Sequence, residues 1–471
     1  MSTSATRDVR PEFLNFGIDA PIYLPPLVLG IAAAVLRFVN LDGKQLWTDE
    51  LIQIEHSRPG SFLGILRGVT LDRGGTPLDY LVQHVVMSVV GVDEFGARVH
   101  AAIFGSLTVA MVYCLCRLLF APNVSLIAGI LYAVYPLHHH YSQEGRPYAL
   151  FVFLTVTAYF LFIKCISNGS ARYWAMLAIT LTLSLYTSYY TIFVIFSQTV
   201  FLVLCRLNAF DHIESFVSPS ANRIFAKYLL CAFAALICFA PWTIFGVNTV
   251  YGYEPSPETF NLRLLTRVIK ELGNGSFPLA GIYAVAIGFG IRQFKSINDH
   301  GWLALLIAWG ALPLPLIFLL LWYKDYFFAI RQVLFMTPAL VIIAAYGIVR
   351  ISELFPLRPG LSRKVSVLLF ALLITASLVV IGLHVDDRRP DIRAAAHFVQ
   401  SRVLDFENVM APGLAPGIEF YAPELSSRLL IPDEGCGFEC LLERKEGIYV
   451  LVFDNLSAHE KEALSNALAS C

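Results

Sequence analysis

Long apolar runs separated by short polar knots set the pattern of this chain. Runs of about 20 apolar residues, the length a helix needs to cross a ~30 Å hydrocarbon core, begin at 21–39. They recur at 97–120, 122–140, 147–166, 172–188, 190–207, 227–249, 277–292, 301–323, 331–350 and 364–384. That makes eleven expected crossings. None of the runs alternates with the period of two that a transmembrane barrel requires. The pattern therefore predicts an α-helical polytopic membrane protein. Residues 77–90 are apolar for only about 14 positions and contain Asp79, Gln83 and His84, which is short for a crossing. Between 49 and 69, Leu51, Ile52, Ile54, Phe62, Leu63, Ile65 and Leu66 recur around a Pro59-Gly60 break. This spacing predicts short amphipathic helices on the membrane surface.

Basic residues choose between the two ways of threading these runs. With 77–90 lying at the interface, Arg117, Lys164, Arg172, Arg206, Arg223, Lys227, Arg292, Lys295, Arg350, Arg358, Arg363 and Lys364 all fall in cytoplasmic connections, with Arg7 and Arg10. That satisfies the positive-inside rule, and a crossing at 77–90 would reverse it. The same topology puts Asp49-Glu50, Gln143-Glu144-Gly145-Arg146, the 250–276 loop and Lys324-Asp325 on the opposite, non-cytoplasmic face. No small-residue cleavage site follows the first run, which is read as a retained helix.

From 386 the composition changes, and 386–471 reads as a small soluble α/β domain on the outer side. A transmembrane domain of 1–385 carries it, with 40–96 as an outer loop. In the tail, 391–404 is helical by pattern, 448–453 is a buried-type strand, and 457–469 is a second helix with Ser457 as N-cap. Six of the nine cysteines sit in apolar runs as small packing residues. Cys436, Cys440 and Cys471 lie in the tail, where a local disulfide between Cys436 and Cys440 is expected ahead of a metal site, and where Cys471 is open to pairing with either one or to staying free.

Composition sharpens this only a little. The 471 residues are 57% hydrophobic and 15% charged, too little charge to cover a soluble surface. A net charge of −1 gives no basic field for nucleic acid. No Walker A stretch, dinucleotide fingerprint or zinc-protease motif is present.

The chemistry concentrates in two knots. Leu46-Trp47-Thr48-Asp49-Glu50 follows the first run, and Tyr141-Ser142-Gln143-Glu144-Gly145-Arg146-Pro147-Tyr148 interrupts the chain further on. The reading is that both knots face one site at the membrane surface. One carboxylate of the Asp49-Glu50 pair would act as general base on an acceptor hydroxyl, work that contributes on the order of 10²–10⁴-fold. The other would orient it or bind a cation. Glu144, Arg146 and Tyr148 are polar residues at helix ends, which lipid tolerates poorly and function retains. Arg331, with Tyr323 and Lys324, suits a phosphate at the interface, and Arg73 beside Gly74-Gly75 is a further phosphate candidate. No cofactor signature is present. A divalent cation stays open, with Glu144, His139 and His140 as its candidate ligands, although consecutive histidines on a helix point in different directions.

These motifs fall in a known order. Trp47-Thr48-Asp49-Glu50, Thr76-Pro77-Leu78-Asp79-Tyr80-Leu81 and Glu94-Phe95-Gly96-Ala97-Arg98 are followed by the 141–150 knot, by Arg331-Gln332-Val333-Leu334-Phe335-Met336-Thr337-Pro338 and by Asp391-Ile392-Arg393-Ala394-Ala395-Ala396. The order resembles bacterial GT-C superfamily membrane glycosyltransferases, relatives of the protein O-mannosyltransferases and of the lipid A aminoarabinose transferase. The resemblance implies an inverting sugar transfer from a polyprenyl-phosphate-linked donor to a lipid, glycan or protein acceptor at the outer face of the bacterial inner membrane. It implies Asp49 as base with Glu50 beside it, Glu144 near the acceptor or a cation, and Arg331 at the donor phosphate. The Gly74-Gly75-Thr76-Pro77 stretch departs from the aminoarabinose transferase, which has a charged pair before the proline, so contacts there do not carry over.

Two other classes compete. A flippase or transporter for a lipid-linked sugar would place ionisable residues deep in mid-span, and here they gather at one rim. A polymerase or ligase using a larger diphosphate-linked donor would show a large late outer loop rich in Arg and His, and here the main loop follows the first span.

Overall fold

The structure, a computed structural model, describes residues 23–58, 60–72, 75–207, 221–250, 262–292, 300–324, 329–354, 359–383, 391–403, 408–410, 415–430 and 448–450. Arg73, Asp325, the tail cysteines and the expected helix at 457–469 lie outside them. The described parts form two compact units, one from 1–39 and 101–385, the other from 40–100 and 386–471.

The first unit is helical. It contains α1 (Leu24–Phe38), α6 (Pro122–Ala133), α7 (Pro136–Tyr141), α8 (Tyr148–Asn168), α9 (Ala171–Leu185), α10 (Thr191–Arg206), α11 (Ala221–Val250), α12 (Leu262–Leu272), α13 (Phe277–Arg292), α14 (His300–Ala311), α15 (Pro313–Lys324), α16 (Thr337–Leu354) and α17 (Pro359–Leu383). Helix α5 (Glu94–Leu119) belongs to it beyond His100. Proline stands in the first turn of α1, α6 and α7, where its missing N–H costs nothing. Gly169, at φ +64°, closes α8 in the left-handed conformation.

Among the described residues, six helices are long and apolar enough to cross a membrane, or seven if α12 and α13, bent by 82°, form one span. Four shorter apolar helices, Leu24–Phe38, Pro122–Ala133, Ala171–Leu185 and Thr191–Arg206, stand where four further crossings are expected. The run expected at 301–323 is broken into α14 and α15 at Pro313, which cannot donate the next helical hydrogen bond. The run at 331–350 opens with a tight three-ten turn, Ile330–Met336, before Thr337-Pro338 starts α16.

Helix α16 is central. Its span is 83% buried, against 22% for α17, whose apolar side chains are left for lipid. Where α13 meets α16, Gly290 approaches the Ile343 carbonyl and Gly347 the Ala286 carbonyl, and a Cβ on either would overlap it. Small residues at such crossings let backbones pack without a hydrophobic driving force. Trp309 donates to the Phe335 carbonyl (2.8 Å) and stacks on Tyr159 at 3.9 Å, tying α14 and α8 to the three-ten turn before α16.

The second unit joins α2 (Thr48–Ser57), α3 (Phe62–Val69), α4 (Pro77–Val90) and the start of α5 to the tail elements α18 (Ile392–Gln400), β1 (Asn408–Met410), α19 (Ala415–Tyr421), β2 (Leu429–Leu430) and β3 (Ile448–Val450). The strands form a parallel sheet in the order β2-β1-β3, with Val409 opposite both Leu429 and Tyr449. One core runs through both parts. Leu46, Leu51, Ile54, Met87 and Ala97 of the loop pack with Ile392, Ala396, Val399, Val409, Ile418, Ala422 and Leu425 of the tail.

Candidate active site

Helix α2 presents the loop's acidic pair, and its sequence dictates how. Asp49 and Glu50 occupy the first turn, where carboxylates favour the helix dipole. Glu50 Oε2 accepts the Trp47 N–H at 3.3 Å. Glu50, Gln53 and Ser57 fall on one face at helical spacing, and all three are fully buried. Each is met by a polar partner, because burying it unbonded would cost a full desolvation penalty.

The first rung is the strongest. Arg98 grips Glu50 with two parallel bonds, Nε to Oε1 and Nη2 to Oε2, both 2.7 Å. Its remaining donors reach the carbonyls of Leu41 (3.0 Å), Lys44 (2.6 Å) and Gln45 (2.7 Å). All five guanidinium N–H groups thus have acceptors, the condition under which a buried ion pair is tolerable. On the second rung Gln53 donates to Asp79 Oδ2 (2.6 Å), and His100 Nε2 lies 3.4 Å from the same oxygen. On the third, the Ser57 hydroxyl donates to Gln83 Oε1 (2.8 Å), and Gln83 donates on to the Ala97 carbonyl (2.9 Å). Asp49, one residue before Glu50 and so ~100° round the helix, is only half-buried.

The helical unit holds the second knot by equally specific means. Gln143 donates to the carbonyls of Arg37 (3.0 Å) and Val39 (3.1 Å), which end α1. Arg37, fully buried, donates to the carbonyls of Ala33 and Ala133 (3.2 Å each) and lies 2.9 Å from His138 Nδ1. An arginine cannot accept, so that nitrogen of His138 is the acceptor and its proton sits on Nε2. Glu144 is buried with His140 Nε2 3.2 Å from Oε1. Tyr141 and Tyr148 meet edge to face at 5.2 Å, and Arg331 lies over Tyr148 at 5.9 Å. Burial, and then the Glu144 carboxylate, pushes the Tyr141 hydroxyl above its ordinary range, so it stays neutral.

The sequence candidates thus separate. Glu144, Tyr148 and Arg331 gather in the helical unit, with half-buried Arg146 beside them in the chain. Tyr323 is exposed near the end of α15. The Lys324 side chain and Arg73 lie outside the described residues. Asp49 and Glu50 stand on α2 in the other unit. The three adjacent histidines have different surroundings. His138 meets Arg37, His140 meets Glu144, and His139 is buried. Among the described residues no three His, Cys, Asp or Glu side chains gather as a metal would need, and Glu144 with His140 makes only a pair. The partners of α2 had no assigned role in the sequence reading. Their signal was there, in Asp79 and Gln83 four apart on a short apolar helix and in Arg98 opening the next.

Residues 75–245 match the protein family described as dolichyl-phosphate-mannose-protein mannosyltransferase. No curated protein matches the chain by sequence. Solved structures do match in fold. ArnT from Cupriavidus metallidurans in the apo state is 13% identical at a TM-score of 0.59, over 84% of this chain and 84% of that one. ArnT bound to undecaprenyl phosphate is 13% identical at 0.58, over 87% and 86%. The archaeal oligosaccharyltransferase AglB from Archaeoglobus fulgidus, in complex with an inhibitory peptide and a dolichol-phosphate, is 14% identical at 0.53 over 84% of this chain. The present chain spans only 63% of the length of AglB.

Proposed function

From a chain whose residues 75–245 match the mannosyltransferase family, and whose fold is that of the GT-C membrane glycosyltransferases, we propose an inverting sugar transfer from a polyprenyl-phosphate-linked donor. The acceptor is a hydroxyl of a lipid, glycan or protein. Its oxygen attacks the anomeric carbon opposite the phosphate. The new C–O bond forms as the sugar–phosphate bond breaks, the acceptor proton passes to Asp49, and the polyprenyl phosphate departs as the anion. Arg331 holds that anion, with Tyr148 under its guanidinium, and Glu144 serves the acceptor side.

The observation that carries this reading is the Arg98–Glu50 grip. It fixes the first turn of α2 in a position that leaves Asp49 half-exposed, at the place in the chain where the resemblance puts the base. A base works only within hydrogen-bond reach of its proton, so a rigid mount is what the chemistry requires.

Eleven crossings follow if the four shorter apolar helices span with the six or seven longer ones. The N-terminus is then cytoplasmic, and Asp49, Glu144 and the tail are extracytoplasmic in a bacterial inner membrane. The test uses purified protein with a labelled polyprenyl-phosphate sugar pool and membrane extract as acceptor, alongside proteoliposomes loaded with the same lipid. Transfer of label to an acceptor is the expected result. Lipid carried across the bilayer with no transfer would make the protein a flippase and overturn the reading.

A further inference from the structure

The tail, which reads from the sequence as a small soluble α/β domain, holds the backbone that leads into the acidic pair. Tyr421, at the end of α19, accepts the Leu46 N–H on its hydroxyl oxygen at 2.8 Å. The Arg393 N–H, at the start of α18, donates to Gln45 Oε1 at 3.1 Å. The Arg393 side chain pairs with Glu94 at the start of α5 and lies over the Tyr421 ring at 5.5 Å. From the other side Arg98 takes the carbonyls of Lys44 and Gln45. Residues 44–46 are therefore gripped by their carbonyls through the loop and by an amide and a side chain through the tail. Below them Leu46 is fully buried in the shared core. Gly417 of α19 sits so close to Ile392 and Leu51 that a Cβ there would overlap the Ile392 side chain.

Nothing in a free tail domain calls for these bonds. The Tyr421 hydroxyl accepts the amide of Leu46, three residues before Asp49 in the chain. We propose that Tyr421, supported by Arg393 and Glu94, is a positioning residue for Asp49, and that the tail acts as the rear mount of the acidic helix. This rests on the transfer reading above and adds to it a part of the chain to which that reading gives no role.

The test uses the full-length protein in detergent. Tyr421→Phe keeps the ring under Arg393 and against Phe420 and removes only the acceptor oxygen. Gln45→Ala removes the second bond without touching the tail. Hydrogen exchange of the Leu46 amide is read beside kcat and KM for a polyprenyl-phosphate sugar. Tyr421→Phe should speed Leu46 exchange between about twofold and about tenfold, the worth of one net hydrogen bond, while exchange across α16 stays unchanged. kcat should fall over a similar range with the donor KM unchanged, and Gln45→Ala should move both the same way. Unchanged Leu46 exchange in Tyr421→Phe would overturn the proposal. Faster exchange with wild-type kcat would also overturn it, by separating the contact from catalysis. If wild type transfers no sugar at all, the transfer reading falls, and exchange at Leu46 still decides whether the tail holds the loop.

Discussion

Arg98 shows how one side chain can be committed in every direction. A buried ion pair can often be exchanged for apolar residues at little cost. This one differs, because the guanidinium also satisfies three carbonyls of the 41–45 segment. Arg98→Met should therefore destabilise by about 3–5 kcal/mol, and adding Glu50→Leu should not restore what is lost, since the carbonyls stay unpaired. Thermal unfolding of the two variants in detergent checks this, and a double variant near wild-type stability would refute it. Glu419 makes a smaller, pH-dependent case. Partial burial, and then the Glu55 carboxylate, raises its pKa, with Arg58 opposing. The ionised form is thus the disfavoured one in the folded state. Stability is greater below the ordinary carboxylate pKa and declines as pH rises through the raised value. Glu419→Gln should raise the melting temperature slightly at pH 7 and leave it unchanged at pH 3.

At the level of elements, the helices were legible because their apolar runs are long and the code for crossing is coarse. The interfacial reading of 77–90 rests on its short length and on the positive-inside rule, and its three polar residues, Asp79, Gln83 and His84, bond Gln53 and Ser57 of α2. What the sequence hid was the partner. Spacing of three and four tells which residues share a face, never which other helix meets it. Glu50 beside Asp49 reads as chemistry from the sequence alone, and the structure adds Arg98 on both its oxygens. The crossing of α13 and α16 makes a further test. Gly347→Leu should cost about 1–3 kcal/mol or more by forcing the backbones apart, whereas Gly288→Ala, which meets open space, should not. Melting curves that move equally for both would contradict the close approach.

For the molecule as a whole, the tail from 386 shares one compact unit with the 40–100 loop. Five apolar residues of the loop and seven of the tail share one core. They are separated in the chain by residues 101–385, a pairing no local pattern reveals. Deleting 386–471 should therefore remove protection from exchange throughout α2 and α4, while α8 and α16 keep theirs. Retained protection in α2 would mean the loop folds alone.

The most direct measurement is single-turnover transfer of label from a polyprenyl-phosphate sugar, comparing wild type with Asp49→Asn at equal donor occupancy. With Asp49 as the base, the rate falls by at least about 10²-fold while donor binding and melting temperature stay unchanged. Asp49→Asn transferring at the wild-type rate would contradict that role.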